Sequence, residues 1–242
     1  MNDITIVTAF FDIGRGDWTP DKGLPHYLHR TNKTYFDRFG HMAKLDNPMV
    51  VYTSKEFIND IKFIRQDRPT EILALDFPNS FEKLREEIIG VQKDPQYQAK
   101  INPMQVKNPE YWNADYVLVN LLKSSFVTKA MQTNLIQTDL VAWLDFGYCR
   151  EESTLNNVKK WQYPFAKDKI TGPCIVAGKD VWPILEQLVH HNVGELIKNN
   201  LIDDDQTLLL MSYLQKPELF ELHKVSSNDW FVAFKEYNVN SN

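Results

Sequence analysis

An apolar run, Val141-Ala142-Trp143-Leu144, leads straight into Asp145, with Phe146 and Gly147 behind it. A carboxylate at the end of a buried strand is unfavourable unless it is paired or bound to a cation. Asp145 is therefore a candidate ligand for a hard divalent ion. Capping of the following turn, or a pair with Arg150, is the plainer alternative. Gly147 would let a ligand come close to the backbone. A second acidic group, Asp203-Asp204-Asp205, opens an apolar run of helical spacing. One or two of these acids suit the positive end of a helix. Three repel one another, so one is available as a base or a hydroxyl-binding group. His223, alone in a short strand, reads as structural, as do His190 and His191 at a helix end.

These groups need a frame. The β-branched run 4–10 makes a first strand, with the polar loop carrying Gly14, Arg15 and Gly16 as its exit. Apolar spacing predicts a helix over 26–39, a strand over 48–53, a helix from Ser54, and a strand over 71–77. That alternation predicts a mostly parallel sheet covered by helices. Residues 79–110 give one helix, 80–91, and then an irregular proline-punctuated stretch expected to be the most flexible. Further expectations are a helix over 114–131, the strand 141–146, a strand-turn-helix over 172–191, a helix over 201–220 and a strand over 221–225. The whole chain, 1–242, is expected to form one α/β domain. In such sheets ligands bind beyond the carboxyl ends of strands. Thr8 to Asp12, Tyr52 to Lys55, Asp76 and Asp145 to Tyr148 would then converge on one edge.

Composition narrows the partners. With a net charge of -5 and a pI near 5.7, the chain lacks the basic excess of a nucleic-acid binder. Its first residues do not read as a signal peptide, and no apolar stretch reaches the roughly 18–20 residues of a membrane span. Cys149 and Cys174, without metal-type spacing, fit a reducing compartment. A cytoplasmic location is expected. The aromatic content of 12% would suit flat ligands, although most of it is expected to fill the core.

The segments TIVTAFFDIGRGDW, YWNADYVLVNLLKSSFVTKA with VAWLDFGYCR, and DDDQTLLLMSYLQKPELFELHK together resemble the WlaTC/HtrL (YibB) family of bacterial glycosyltransferase-like proteins. The resemblance spans almost the whole chain. It implies a GT-A-like fold and transfer of a hexosyl group from a nucleotide sugar, a UDP-sugar, to a cell-surface glycan or lipopolysaccharide acceptor. The enzyme would work at or near the inner face of the membrane. The resemblance also implies a strand-end acid of a DxD motif that holds Mn²⁺ or Mg²⁺ against the diphosphate. Here the motif reads Asp145-Phe146-Gly147, so one carboxylate is missing and His223 is the expected second ligand. Thr8, Ala9, Phe10, Arg15, Leu144 and Phe146 would lie along the nucleotide, and Tyr52 and Thr53 would frame the base. Lys123 and Gly172 would reach the donor. Asp204 and Asp205 would be the catalytic acids, with Asp203 the cap. A metal-dependent phosphohydrolase and a catalytically silent binding or scaffold protein are the competing readings.

Overall fold

The computed structural model describes residues 3–172, 174–225 and 230–238. Its strands are β1 (Ile4–Phe10), β2 (Met49–Thr53), β3 (Thr70–Ala74), β4 (Leu140–Trp143), β5 (Ile170–Thr171), β6 (Ile175–Gly178) and β7 (Phe220–Glu221). They form one seven-stranded sheet in the order β3-β2-β1-β4-β6-β5-β7. The pairs β3-β2, β2-β1, β1-β4 and β5-β7 are parallel, while β6 runs antiparallel to both β4 and β5. The expected mixed α/β architecture with a mostly parallel sheet flanked by helices is what the chain forms.

The helices are α1 (Asn32–Met42), α2 (Ile58–Arg65), α3 (Glu82–Lys93), α4 (Pro95–Gln98), α5 (Ala114–Leu121), α6 (Lys123–Gln132), α7 (Trp182–Lys198), α8 (Asp205–Gln215) and α9 (Ala233–Glu236). Successive strand residues face opposite layers. Val7, Val50, Tyr52, Val141 and Trp143 accordingly join one core with residues of α3, α5, α6 and α7. Ile4, Ile6, Met49, Val51, Leu140 and Ala142 join another with residues of α1, α2 and α9. Both faces of the central strands are apolar because both are covered, as in doubly wound sheets.

Several boundaries differ from expectation. The helix expected at 26–39 starts at Asn32, where Thr31 accepts the Thr34 N–H as a cap. The apolar run 114–131 is two helices, capped at the start by Asn113 and interrupted at Leu122. The irregular stretch after α3 is tied into the body: Gln92 donates to the Glu110 carbonyl and Tyr97 to that of Ile202. The last strand is Phe220–Glu221, which shares only Glu221 with the expected run 221–225.

Register positions the site. Phe10 lies opposite Thr53, and Thr53 opposite Ala74, so β1, β2 and β3 end level. β4 stops earlier, with Trp143 opposite Val7. Leu144 N–H closes the ladder on the Val7 carbonyl, and Tyr148 N–H turns back to the Asp145 carbonyl. The chain winds from β1 outward to β2 and β3, then returns to add β4 on the other side of β1. The β1/β4 boundary is therefore a topological switch point, where open α/β sheets hold their ligands.

On the far side of β2, fully buried Arg65 donates to the carbonyls of Ala43, Leu45, Asn47 and Pro69 and to the Thr70 hydroxyl, using all its N–H groups. Arg65→Met keeps bulk and leaves these acceptors unmet. Unfolding in urea should show a loss of about 2–3 kcal/mol, and an unchanged midpoint would mean that water replaces the guanidinium.

Candidate functional site

A cleft of about 180 Å³ opens at the β1/β4 boundary. Its floor is the end of β1 (Ala9, Phe10) and the turn after β4 (Asp145, Phe146, Gly147), and one wall is a single helical face, Tyr116, Val119, Asn120 and Lys123. Lys123 opens α6 just after the interruption at Leu122, and its side chain reaches the end of β4.

The Lys123 ammonium lies 3.0 Å from Asp145 Oδ1 and 2.8 Å from Asp205 Oδ2. Only 11% of the lysine side chain is exposed. Burial alone favours loss of its proton, but the two carboxylates outweigh that and move its pKa up. Asp145 also accepts the Trp143 indole N–H at 3.0 Å. Its side chain keeps 62% of its surface open to the cleft while sitting deep in the concavity. Lost hydration opposes its charge, yet Lys123, the Trp143 N–H and Arg150 hold the carboxyl below the usual aspartate range.

A divalent ion does not fit this donor set. The carboxylate at the strand end is engaged by an ammonium and an indole N–H. Among the described residues no three His, Cys, Asp or Glu side chains come together as ligands. A fixed ammonium also opposes a second cation beside it. His223 is exposed, 3.4 Å from Glu221 and edge-on to Tyr237, and is not among the residues lining the cleft.

Arginines dominate the rest of the wall. Arg15 is buried, donates to the Leu28 carbonyl and the Tyr35 hydroxyl, and stacks over Trp18. Its loop is set by Asp12, which accepts Gly14 N–H and the Asn32 amide, with Gly14 at φ 79° where a side chain would be strained. Arg30 and Arg150 line the cleft as well. Burial, with Arg30 and Arg38 close by, brings the Arg150 pKa down to about 10. Gly147 has a packing role: a Cβ there would stand 3.2 Å from the Tyr35 ring and 3.5 Å from Arg38.

A second, polar hollow of about 510 Å³ adjoins the first and shares Arg15, Arg30 and Tyr116 with it. Its opposite side carries Glu110, Asp203 and Asp204. The three adjacent acids have separate tasks. Asp203 accepts the Asp204 N–H and the Thr207 hydroxyl. Asp204 caps α8 by accepting the Gln206 N–H. Asp205 turns away to Lys123. Burial, then the neighbouring Asp205, pushes the Asp204 carboxyl up to about 6.

Of the residues singled out from sequence, Ala9, Phe10, Arg15, Lys123, Asp145 and Phe146 meet in the first cleft and Asp204 in the second, while Asp205 reaches the same network through Lys123. Thr8, Tyr52, Thr53 and Leu144 are buried in the sheet. Tyr52 packs on Phe126 with ring centroids 4.8 Å apart, and the Thr53 hydroxyl donates to the Phe10 carbonyl. Gly172 accepts the Tyr237 hydroxyl through its carbonyl and is not among the cleft-lining residues. Pro173 beside it lies outside the described residues. Arg30, Tyr35 and Tyr116 carried no local signal in the sequence.

Fold and cleft together define a doubly wound α/β protein with a cation-lined cleft at its switch point. The chain belongs to the family described as "Bacterial protein of unknown function (HtrL_YibB)", whose model matches residues 2–175 and 167–239. It is 36% identical to "Protein HtrL" of Escherichia coli (strain K12) over 265 residues, covering 98% of this chain and 93% of that protein. Among solved structures, the apo form of mouse xyloside xylosyltransferase 1 aligns with 99% of both chains at a TM-score of 0.42 and 9% identity. No helix among the described residues is long and apolar enough to cross a membrane.

Proposed function

We propose that the protein is a glycosyltransferase that moves a hexosyl group from a UDP-sugar to a hydroxyl of a surface glycan or lipopolysaccharide acceptor. The observation that carries this reading is the pairing of two adjoining hollows: one lined by Arg15, Arg30, Arg150 and Lys123, the other by Glu110, Asp203 and Asp204. Group transfer from a sugar diphosphate needs both. The acceptor oxygen bonds to the anomeric carbon as the bond from that carbon to phosphate oxygen breaks. The electron pair leaves on the diphosphate, where cations stabilise it. The acceptor proton passes to a carboxylate, and Asp204, with its raised pKa, is suited to take it. Asp205 keeps Lys123 in place. The uridine, the hexose and the surface acceptor rest on the family resemblance, as does work at the inner face of the membrane.

The test is thermal stability with UDP, UDP-hexoses and phosphate analogues, followed by UDP release from each stabilising donor with glycan acceptors present. Stabilisation by a nucleotide sugar and acceptor-dependent UDP release are expected. A response to phosphate analogues alone would favour a phosphohydrolase, and no response to any of these ligands would favour a scaffold.

A further inference from the structure

The cleft holds more positive charge than its own acids neutralise. Four cations, Lys123, Arg15, Arg30 and Arg150, stand against three carboxylates: Asp145 and Asp205 on Lys123, and Asp12, which accepts from the neutral Gly14 N–H and Asn32 amide. Arg15, Arg30 and Arg150 share that wall, and Arg38 stands behind Gly147. None of these four is ion-paired among the described residues, where the arginine ion pairs are Arg68–Asp46 and Arg85–Asp115. Nη1 of Arg38 and Nε of Arg150 are buried without a hydrogen-bond partner. Gathering guanidinium groups with orphan donors opposes folding unless an anion repays it.

We propose that this guanidinium cluster, and not a divalent cation, holds the diphosphate of the donor, with Arg30 and Arg150 as its grip. The inference rests on the nucleotide-sugar reading for the donor and on the cluster for the mode of binding. Arg15 is committed to Leu28 and Tyr35 and fixes the wall. No side-chain hydrogen bond within the protein holds Arg30 or Arg150 among the described residues, and the Arg150 guanidinium carbon lies over the Phe231 ring, 4.8 Å from its centroid. Two planar forks approaching from separate elements, the loop before α1 and the turn after β4, match two linked phosphates better than a single small anion. The strand-end acid that would hold a metal holds Lys123 instead. An internal ammonium and a guanidinium wall supply the positive charge that a bound ion would otherwise bring.

The experiment is calorimetric titration of the full chain with UDP and with inorganic pyrophosphate, in EDTA and in Mn²⁺ or Mg²⁺. Both probes should bind in EDTA with the same affinity as in metal. Arg30→Gln and Arg150→Gln should each weaken both probes by about tenfold or more, and Arg68→Gln, remote from the cleft, should not. Arg150→Lys keeps the charge and loses the fork, so with circular dichroism it covers the case that Arg150→Gln unfolds; it too should bind more weakly. Binding that requires metal, or arginine variants that bind as wild type, would overturn the proposal while leaving the nucleotide-sugar reading intact. Arginine-dependent pyrophosphate binding with no preference for UDP would instead sink the nucleotide-sugar reading and keep the anion site.

Discussion

Lys123→Met should abolish transfer, by about 10³-fold or more in kcat/KM, and should also destabilise the fold. The ammonium is the one group between Asp145 and Asp205, at 3.0 and 2.8 Å. Removing it leaves the two carboxylates without the ammonium between them, and Asp145 with only Arg150 as a nearby counter-charge. Breaking a buried pair costs about 3–5 kcal/mol, and the lower end applies because Asp145 is largely open to the cleft. For a chain of this size that is a fall in Tm of roughly 6–12 °C. The pH dependence separates this cause from lost packing. In the wild type, Asp145 titrates below the usual aspartate range, so its share of stability is present above that range and is lost as the pH falls through its lowered folded value. In Lys123→Met the sign reverses. The orphaned carboxyl prefers its proton, and Tm should climb as the pH falls towards about 5. Adding Asp145→Asn and Asp205→Asn to Lys123→Met should restore most of the lost Tm and none of the activity. A Lys123→Met protein that keeps both its Tm and its transfer rate would show that the lysine is a bystander in the cleft.

How much of this was legible in the sequence depends on whether the signal is local. The continuous apolar, β-branched runs of β1, β2 and β4, and the strand-helix order, announce a buried, mostly parallel sheet, because run length and helical spacing are properties of neighbouring residues. The position of Asp145 at a strand end was readable for the same reason. Two features were not. Strand ends aligned in sequence are not equally open: β2 ends level with β1 and is covered by Phe126 of α6, so Tyr52 and Thr53 are packed rather than presented. The cleft opens only where β4 stops short, a fact of register. Nor do Arg15, Arg30, Arg38 and Arg150 make a motif. They come from a loop, a helix approach, a helix and a turn, and only the fold joins them. Lys123 was legible only as a lysine off the apolar face of its helix, because the carboxylates that hold it, Asp145 and Asp205, come from distant segments of the chain.

Asp204→Asn should lower turnover by about 10²-fold or more, with little change in UDP affinity. Of the three adjacent acids it alone combines a place on the second hollow with a raised pKa. Asp203 spends its oxygens on the Asp204 N–H and the Thr207 hydroxyl, and Asp205 spends one on Lys123. Asparagine keeps the carbonyl oxygen that accepts the Gln206 N–H, so the cap on α8 survives the change. The pH profile makes the assignment specific. A base with a pKa of about 6 gives a wild-type rate that rises through that pH and levels above it, and Asp204→Asn should lose this limb. Stability should move the opposite way. A carboxyl whose folded pKa is raised contributes stability that is full below the ordinary aspartate range and is lost as the pH rises through about 6. Asp204→Asn should therefore melt above the wild type at about pH 8 and converge with it at about pH 4. Asp203→Asn, which keeps the turn at the start of α8, should transfer at close to the wild-type rate. Asp205→Asn should slow transfer by loosening Lys123, without removing the acid limb. If Asp204→Asn transfers at the wild-type rate and keeps its acid limb, the base lies elsewhere on that wall, and Glu110, whose carboxyl burial also pushes up, is the next side chain to test.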